Sequence, residues 1–150
     1  GVPKTVFARE TKKDNGLINI SAVLDFNGYT AEVELKTIMP KDFPLSHGLR
    51  VVGTNGILET HTVFTDSQSH TPEVSVLFYF KNSPKKLLNV PGHDPYRYEC
   101  RYFLDTISGK TDGSLLDAHH AVNTLKIAIA VKKSLIQGKR ISPANEIKLQ

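Results

Sequence analysis

The sequence predicts an α+β domain: a largely antiparallel open sheet of about six strands, two C-terminal helices packed on one face, and the other face available for oligomerisation. Three observations predict it. Apolar residues recur at every second position in segments up to Phe80, the helical period sets in only after Asp94, and no strand–helix–strand repeat of the kind a parallel sheet needs is present.

The elements follow in order. Val2 to about Glu10 suits a first strand, and Lys12-Lys13-Asp14-Asn15-Gly16 a polar turn. Ile18, Ile20, Ala22, Leu24 and Phe26 then alternate with Asn19, Ser21 and Asp25, with Val23 as the exception, which is the pattern of a half-buried strand. Asn27-Gly28 predicts a hairpin with a type I′ turn, whose two central residues both take positive φ. Tyr29 to Thr37 returns antiparallel, with Ala31, Val33 and Leu35 opposed to Glu32, Glu34 and Lys36. A loop with two prolines, Met39-Pro40 to Ser46, leads to a second hairpin: Leu49 to Val52, a turn at Gly53-Thr54-Asn55-Gly56, and Ile57 to Val63. Val74 to Phe80 differs in kind. Val74, Val76, Phe78 and Phe80 make one apolar face while Leu77 and Tyr79 make the other partly apolar, so both faces need cover, from helices on one side and from another layer or subunit on the other.

Asn82 to Gly92 reads as a linker. Asp94 then fits an N-cap and Pro95 a first helical residue; Tyr96, Cys100, Phe103, Leu104 and Ile107 share one helical face, and Gly109 ends the run. Ser114 and Asp117 are placed for a capping box opening a longer helix, with a packed stripe of Ala118, Ala121, Val122, Leu125, Ala128, Ile129 and Leu135 and a stop at Gly138. The tail after Ile141 adds a short strand or stays extended.

Composition bounds the function. With 150 residues, 39% hydrophobic and 23% charged, the chain suits one globular domain with one core. Apolar stretches such as Ile127 to Val131 fall far short of the roughly 20 residues of a membrane span, and no basic-then-apolar leader opens the chain, so a soluble protein with no membrane partner is expected. The single cysteine excludes an internal disulfide and fits a reducing, cytoplasmic compartment. The net charge of +4 comes with lysines in short separated pairs, Lys12-Lys13, Lys85-Lys86 and Lys132-Lys133, rather than in an arginine-rich stripe; a solvated surface and no nucleic-acid partner are expected.

The residues that carry chemistry are scattered. Gly53-Thr54-Asn55-Gly56 lacks the spacing and the following helix of a phosphate-binding loop. His119 and His120, adjacent on a helix, diverge by about a hundred degrees and cannot chelate one metal well. His47, His61 and His70 have no partner at ligand-like spacing, and Asp94 beside His93 is accounted for by capping. Cys100, among Phe103 and Leu104, reads as a small buried hydrophobe. Tyr96 belongs with the core stripe, and Tyr98 and Tyr102 with packing or a substrate-facing hydroxyl. No set of residues reads as a self-contained catalytic centre, no residue is assigned to a metal, and no catalytic or cofactor-binding residue is named.

Three strings nevertheless resemble one family. HGLRVVGTNGILE is similar to the strand–turn–strand of the C-terminal domain of the glucose–fructose oxidoreductase / inositol dehydrogenase / rhizopine-catabolism family. YRYECRYFLDTISGKTDGSLLDAHHAVNTLKIAIAVKKSLIQGKRI resembles that family's closing helix pair, and AVLDFNGYTAEVEL its F-x-N-G hairpin. The resemblance implies a two-domain parent enzyme. Its N-terminal half is a Rossmann domain that binds NAD or NADP and carries the catalytic lysine, and the family's aspartate and histidine precede the first strand here. This chain then contributes a wall of the cleft for a sugar, inositol or related polyol and a sheet for association into a homo-oligomer, and is inactive alone. Arg9, His93, Tyr96 and Arg97 are the substrate or interdomain candidates, and Val74, Val76, Leu77, Phe78, Tyr79 and Phe80 the interface candidates. The competing readings are a stand-alone binding or dimerisation module, and a small enzyme or ligand carrier with a cavity between sheet and helices.

Overall fold

The computed structural model describes residues 1–12, 18–64, 72–90 and 94–145. The class is α+β, with antiparallel pairing throughout the described strands and two helices at the C-terminal end. The strands form two sheets rather than one. β1 (Thr5–Lys12), β2 (Ile18–Asp25) and β3 (Thr30–Lys36) pair in sequence order, as do β4 (Leu45–Gly53), β5 (Gly56–Phe64), β6 (Glu73–Phe80) and β7 (Lys86–Asn89). β7 lies inside the segment read as a linker; four residues are too few to show a period, and only the pairing of Leu87 and Leu88 with Leu77 and Val76 makes them a strand. The helices are α1 (Pro95–Ile107) and α2 (Ala118–Gln137). By contact the chain divides into two compact units, Gly1–Pro40 with Ser114–Gln150, and Lys41–Gly113.

In the first unit α2 packs on β1, closing a core of Val6, Ala8, Ala22, Leu24 and Ala130, with Ile127, Val131, Leu135 and Ile141 against it. Alanine on both sides of the seam lets helix and sheet backbones come close, since interaxial spacing is set by the side chains between them. The seam of α2 is therefore Ile127, Ala130, Val131, Ser134 and Leu135, and of the predicted stripe only Leu135 belongs to it; Leu125 and Ala128 are exposed. Isoleucine, alanine and valine occupy five consecutive positions from Ile127 to Val131, so apolarity alone could not choose the phase. Ser134 decided it: its hydroxyl accepts the Ala8 N–H at 2.9 Å and donates to the Lys139 carbonyl at 2.7 Å. The tail completes the unit as Val6 and Ile141 exchange backbone hydrogen bonds of 2.8 and 2.9 Å.

The β2–β3 hairpin forms where expected, but its turn is not type I′, because Gly28 takes positive φ and Asn27 does not. The stacked rings of Phe26 and Tyr29, 4.5 Å apart, flank it. The polar turn expected through residues 13–16 lies outside the described residues.

Asp117 alone, rather than a Ser114–Asp117 box, is the N-cap of α2; Ser114–Leu116 forms a 3₁₀ turn before it. The Asp117 carboxylate accepts the His119 N–H at 2.9 Å and contacts the His119 ring Nδ1 at 2.9 Å. The backbone hydrogen bond first, and the imidazole second, hold its pKa below the ordinary aspartate value. Because the folded pKa is depressed, the cap's contribution is complete above the unfolded value of about 4 and is lost as pH falls through the lower folded value. The protection of the His119 amide, relative to its intrinsic exchange rate at each pH, should fall over that acid range, and Asp117→Asn, which caps without titrating, should remove this fall. Unchanged acid sensitivity in Asp117→Asn would show that another group is responsible.

In the second unit, β4 and β5 are joined at the predicted turn, with Gly53 paired to Gly56. Only glycine fits position 56, where a Cβ would press into the Tyr79 carbonyl of the neighbouring strand. α1 begins as predicted: the Asp94 carboxylate accepts the N–H groups of Tyr96 and Arg97 at 3.0 and 3.3 Å. Its apolar face is a different matter, for the helix buries no residue. Cys100, expected inside, is exposed, and so are Phe103, Leu104 and Ile107. Periodicity reports that a helix has an apolar face and carries no information on what lies against it.

Candidate functional site

The second sheet brings more chemistry onto one surface than any other described element. Counting back from the Gly53–Gly56 turn, Val52 faces Ile57, Arg50 faces Glu59 and Gly48 faces His61. β6 extends these rows with Tyr79, Leu77 and Ser75. Because side chains alternate along a strand, these residues share one face, while Leu49, Val51, Leu58, Val74, Val76, Phe78 and Phe80 share the other. The second of these faces is the more apolar, with Phe78 and Phe80 stacked 5.8 Å apart, although the register puts His47, Thr60 and Thr62 on it too; the first is mixed.

The mixed face carries an ion pair between Arg50 Nε and the Glu59 carboxylate. Among the described residues the two terminal guanidinium nitrogens take no other partner. Next to the pair is an open groove of about 370 Å³, lined by Gly48, Arg50, Glu59, His61, Ser75 and Leu77 among others. At Gly48 the backbones of β4 and β5 come close; a Cβ there would stand 2.6 Å from the Thr60 carbonyl oxygen. The strands are tied at this point by the Leu49 N–H donating to Thr60 Oγ1 at 3.1 Å. An ion pair and an exposed imidazole beside an open groove suit docking of a complementary surface.

The residues singled out in the sequence are distributed as follows. Val74, Val76, Phe78 and Phe80 lie on the apolar face, and Leu77 and Tyr79 on the mixed one, as their alternation required. Tyr96 and Arg97 occupy the first turn of α1; Tyr96 is 77% exposed and not part of a core stripe. Arg9 belongs to the other unit, its guanidinium 5.2 Å from the centre of the Phe7 ring. His93 lies outside the described residues. Arg50, Glu59 and Gly48 were not singled out, although the turn that predicts the hairpin also predicts their register. Near the end of α1, Asp105 bonds Arg101 Nε at 3.1 Å and lies 3.5 Å from Lys110; the Arg101 hydrogen bond is the main cause of its lowered pKa.

At the two described long helices the Asp94 carboxylate takes the Tyr96 and Arg97 amides and the Asp117 carboxylate takes the His119 amide, so these N–H groups are not free for a phosphate. Among the described residues no three His, Cys, Asp or Glu side chains are grouped to hold a metal, and no helix is long and apolar enough to cross a membrane. No family model, curated protein or solved structure matches the chain.

Proposed function

We propose that the chain is the C-terminal, substrate-side part of a cytoplasmic NAD- or NADP-dependent oxidoreductase of the glucose–fructose oxidoreductase / inositol dehydrogenase / rhizopine-catabolism family. The observation that supports the reading is where the family-like strings fall: the F-x-N-G string, Ala22 to Leu35, spans the β2–β3 turn, the G-T-x-G string, His47 to Glu59, spans the β4–β5 turn, and the closing string, Tyr96 to Ile141, holds most of α1 and all of α2. In the parent, a hydride leaves a ring carbon of a sugar, inositol or related polyol for the nicotinamide while its hydroxyl proton passes to a base in the other half. Tyr96 and Arg97, exposed at the first turn of α1, and His93 are offered to the substrate cleft or the nucleotide domain, as is Arg9. The sheet serves association between copies.

The exposed apolar residues on both faces of the second sheet, Val51 and Val52 among them, also favour a stand-alone dimerisation module. The native gene product separates the two readings. A mass of twice 16.6 kDa or more, an upstream G-x-G-x-x-G/A fingerprint and polyol-dependent reduction of NAD or NADP, followed by absorbance, are expected. A native product of this length that binds neither nucleotide would sink the enzyme reading.

A further inference from the structure

We infer that Asn27 is a site of spontaneous covalent modification: the Gly28 backbone nitrogen attacks its side-chain amide, ammonia is lost, and a cyclic imide opens to aspartate and isoaspartate. The same dipeptide at Asn55-Gly56 is protected by its place in the second sheet.

The step balances with water as the only co-reactant. A bond forms between the Gly28 nitrogen and Asn27 Cγ, the Cγ–Nδ2 bond breaks, and the proton from the attacking nitrogen leaves with Nδ2 as ammonia. Glycine admits this approach because it has no Cβ in the way. Water then adds to either carbonyl of the imide ring. Opening on one side leaves aspartate in an ordinary backbone; opening on the other routes the main chain through the side-chain carbons, as isoaspartate.

The two Asn-Gly pairs stand at hairpin turns in different registers. In the first unit the Phe26 N–H donates to the Tyr29 carbonyl at 2.9 Å, so Asn27 and Gly28 are the two residues of the loop. Both are exposed, and the Gly28 N–H donates to no acceptor among the described residues. Lys4 Nζ donates to Asn27 Oδ1 at 3.1 Å. A positive charge there draws electrons from Cγ and stabilises the oxyanion that forms on attack.

At the second hairpin the loop is Thr54-Asn55, and Gly56 already belongs to β5, paired with Gly53 on one side and Phe80 on the other. The Asn55 carbonyl accepts the Lys81 N–H at 3.2 Å. Because the peptide is planar and trans, the Gly56 N–H points the opposite way, to Gly53. This peptide is therefore held on both edges, and an imide nitrogen, which carries no hydrogen, cannot keep its place in the ladder. At Gly28 nothing is given up. The product there sets a carboxylate beside Lys4, and isoaspartate lengthens the loop backbone by a methylene between the stacked rings of Phe26 and Tyr29.

The test ages the full chain in mildly alkaline buffer, folded and in guanidinium chloride, and locates each converted residue by peptide fragmentation. Fragmentation also separates Asn27 from Asn15, whose Asn-Gly pair lies outside the described residues. In the folded chain Asn27 should convert about tenfold faster than Asn55, the rate equivalent of one backbone hydrogen bond given up. In denaturant the two should convert at similar rates. Methyl transfer from S-adenosylmethionine by an isoaspartyl methyltransferase should label the aged chain and not Asn27→Gln at that position. Lys4→Met should slow Asn27 by about twofold to fivefold in the folded chain, the range of an exposed charged contact, and leave Asn55 unchanged. Equal rates at Asn27 and Asn55 in the folded chain, or the same preference for Asn27 in denaturant, would overturn the proposal. An Asn27 rate unmoved by Lys4→Met would overturn the part given to Lys4.

Discussion

Ser134→Ala should destabilise the first unit far more than the loss of one oxygen suggests. The hydroxyl is 0% exposed and serves two backbone groups, the Ala8 N–H and the Lys139 carbonyl. Truncation leaves a donor on the edge of β1 and an acceptor just beyond the end of α2 without that partner, where water has no access through the hydroxyl's former position. A buried polar group left unsatisfied costs about 1–3 kcal/mol, and for a chain of this size each kcal/mol corresponds to roughly 2–4 °C in Tm. A fall of about 5–10 °C is expected by calorimetry, together with faster amide exchange at Ala8. Ile136→Ala, two residues on and 74% exposed, should change stability by no more than about 0.5 kcal/mol. If Ser134→Ala melts with the wild type, the hydroxyl is not what fastens β1 to the end of α2.

Ala130→Asp is the more severe change. Ala130 is 0% exposed in the seam between α2 and the sheet, among Val6, Ala8, Ala22 and Leu24. An uncompensated buried charge costs on the order of 3–5 kcal/mol, a large part of the 5–15 kcal/mol by which domains are typically stable. The new carboxyl escapes part of this by staying protonated, so its folded pKa is raised. The penalty is therefore smallest in acid, grows as pH rises above about 4, and is complete once pH passes the raised folded value. Denaturant melts at pH 3.5 and pH 7 measure this against the wild type at each pH. Ala128→Asp, on the same helix and exposed, is the comparison, and it should be nearly silent. Ala128 belongs to the stripe that hydrophobic periodicity selects and Ala130 to the one that packing selects, so equal effects at the two positions would argue for the periodic phase and against the observed one.

α2 shows why the sequence was legible only in part. Its existence, its C-terminal stop at Gly138 and its apolar character were readable, because propensity and capping act within a few residues of chain. Its rotation was not. That depended on a polar residue, Ser134, being buried to satisfy an amide 126 residues away, and no local pattern carries such information. α1 gives the converse case: the cap at Asp94 and the apolar face at Phe103, Leu104 and Ile107 were both readable, but the burial expected from that face is absent from the described structure.

The candidate surface divides in the same way. Glycine at 53 and 56 identified the hairpin, and the two-residue period of β6 assigned Val74 to Phe80 to alternate faces, as backbone geometry requires. What the sequence by itself determined was therefore the class, the positions of the two tight hairpins, the cap of α1 at Asp94 and the stop of α2 at Gly138, all set by sterics and hydrogen bonds between near neighbours. Tertiary structure alone decided that the strands part into two sheets and that residues 86–89 join the second. Those outcomes rest on which distant backbone groups pair and which faces find cover, and that free energy belongs to the whole chain rather than to any segment of it.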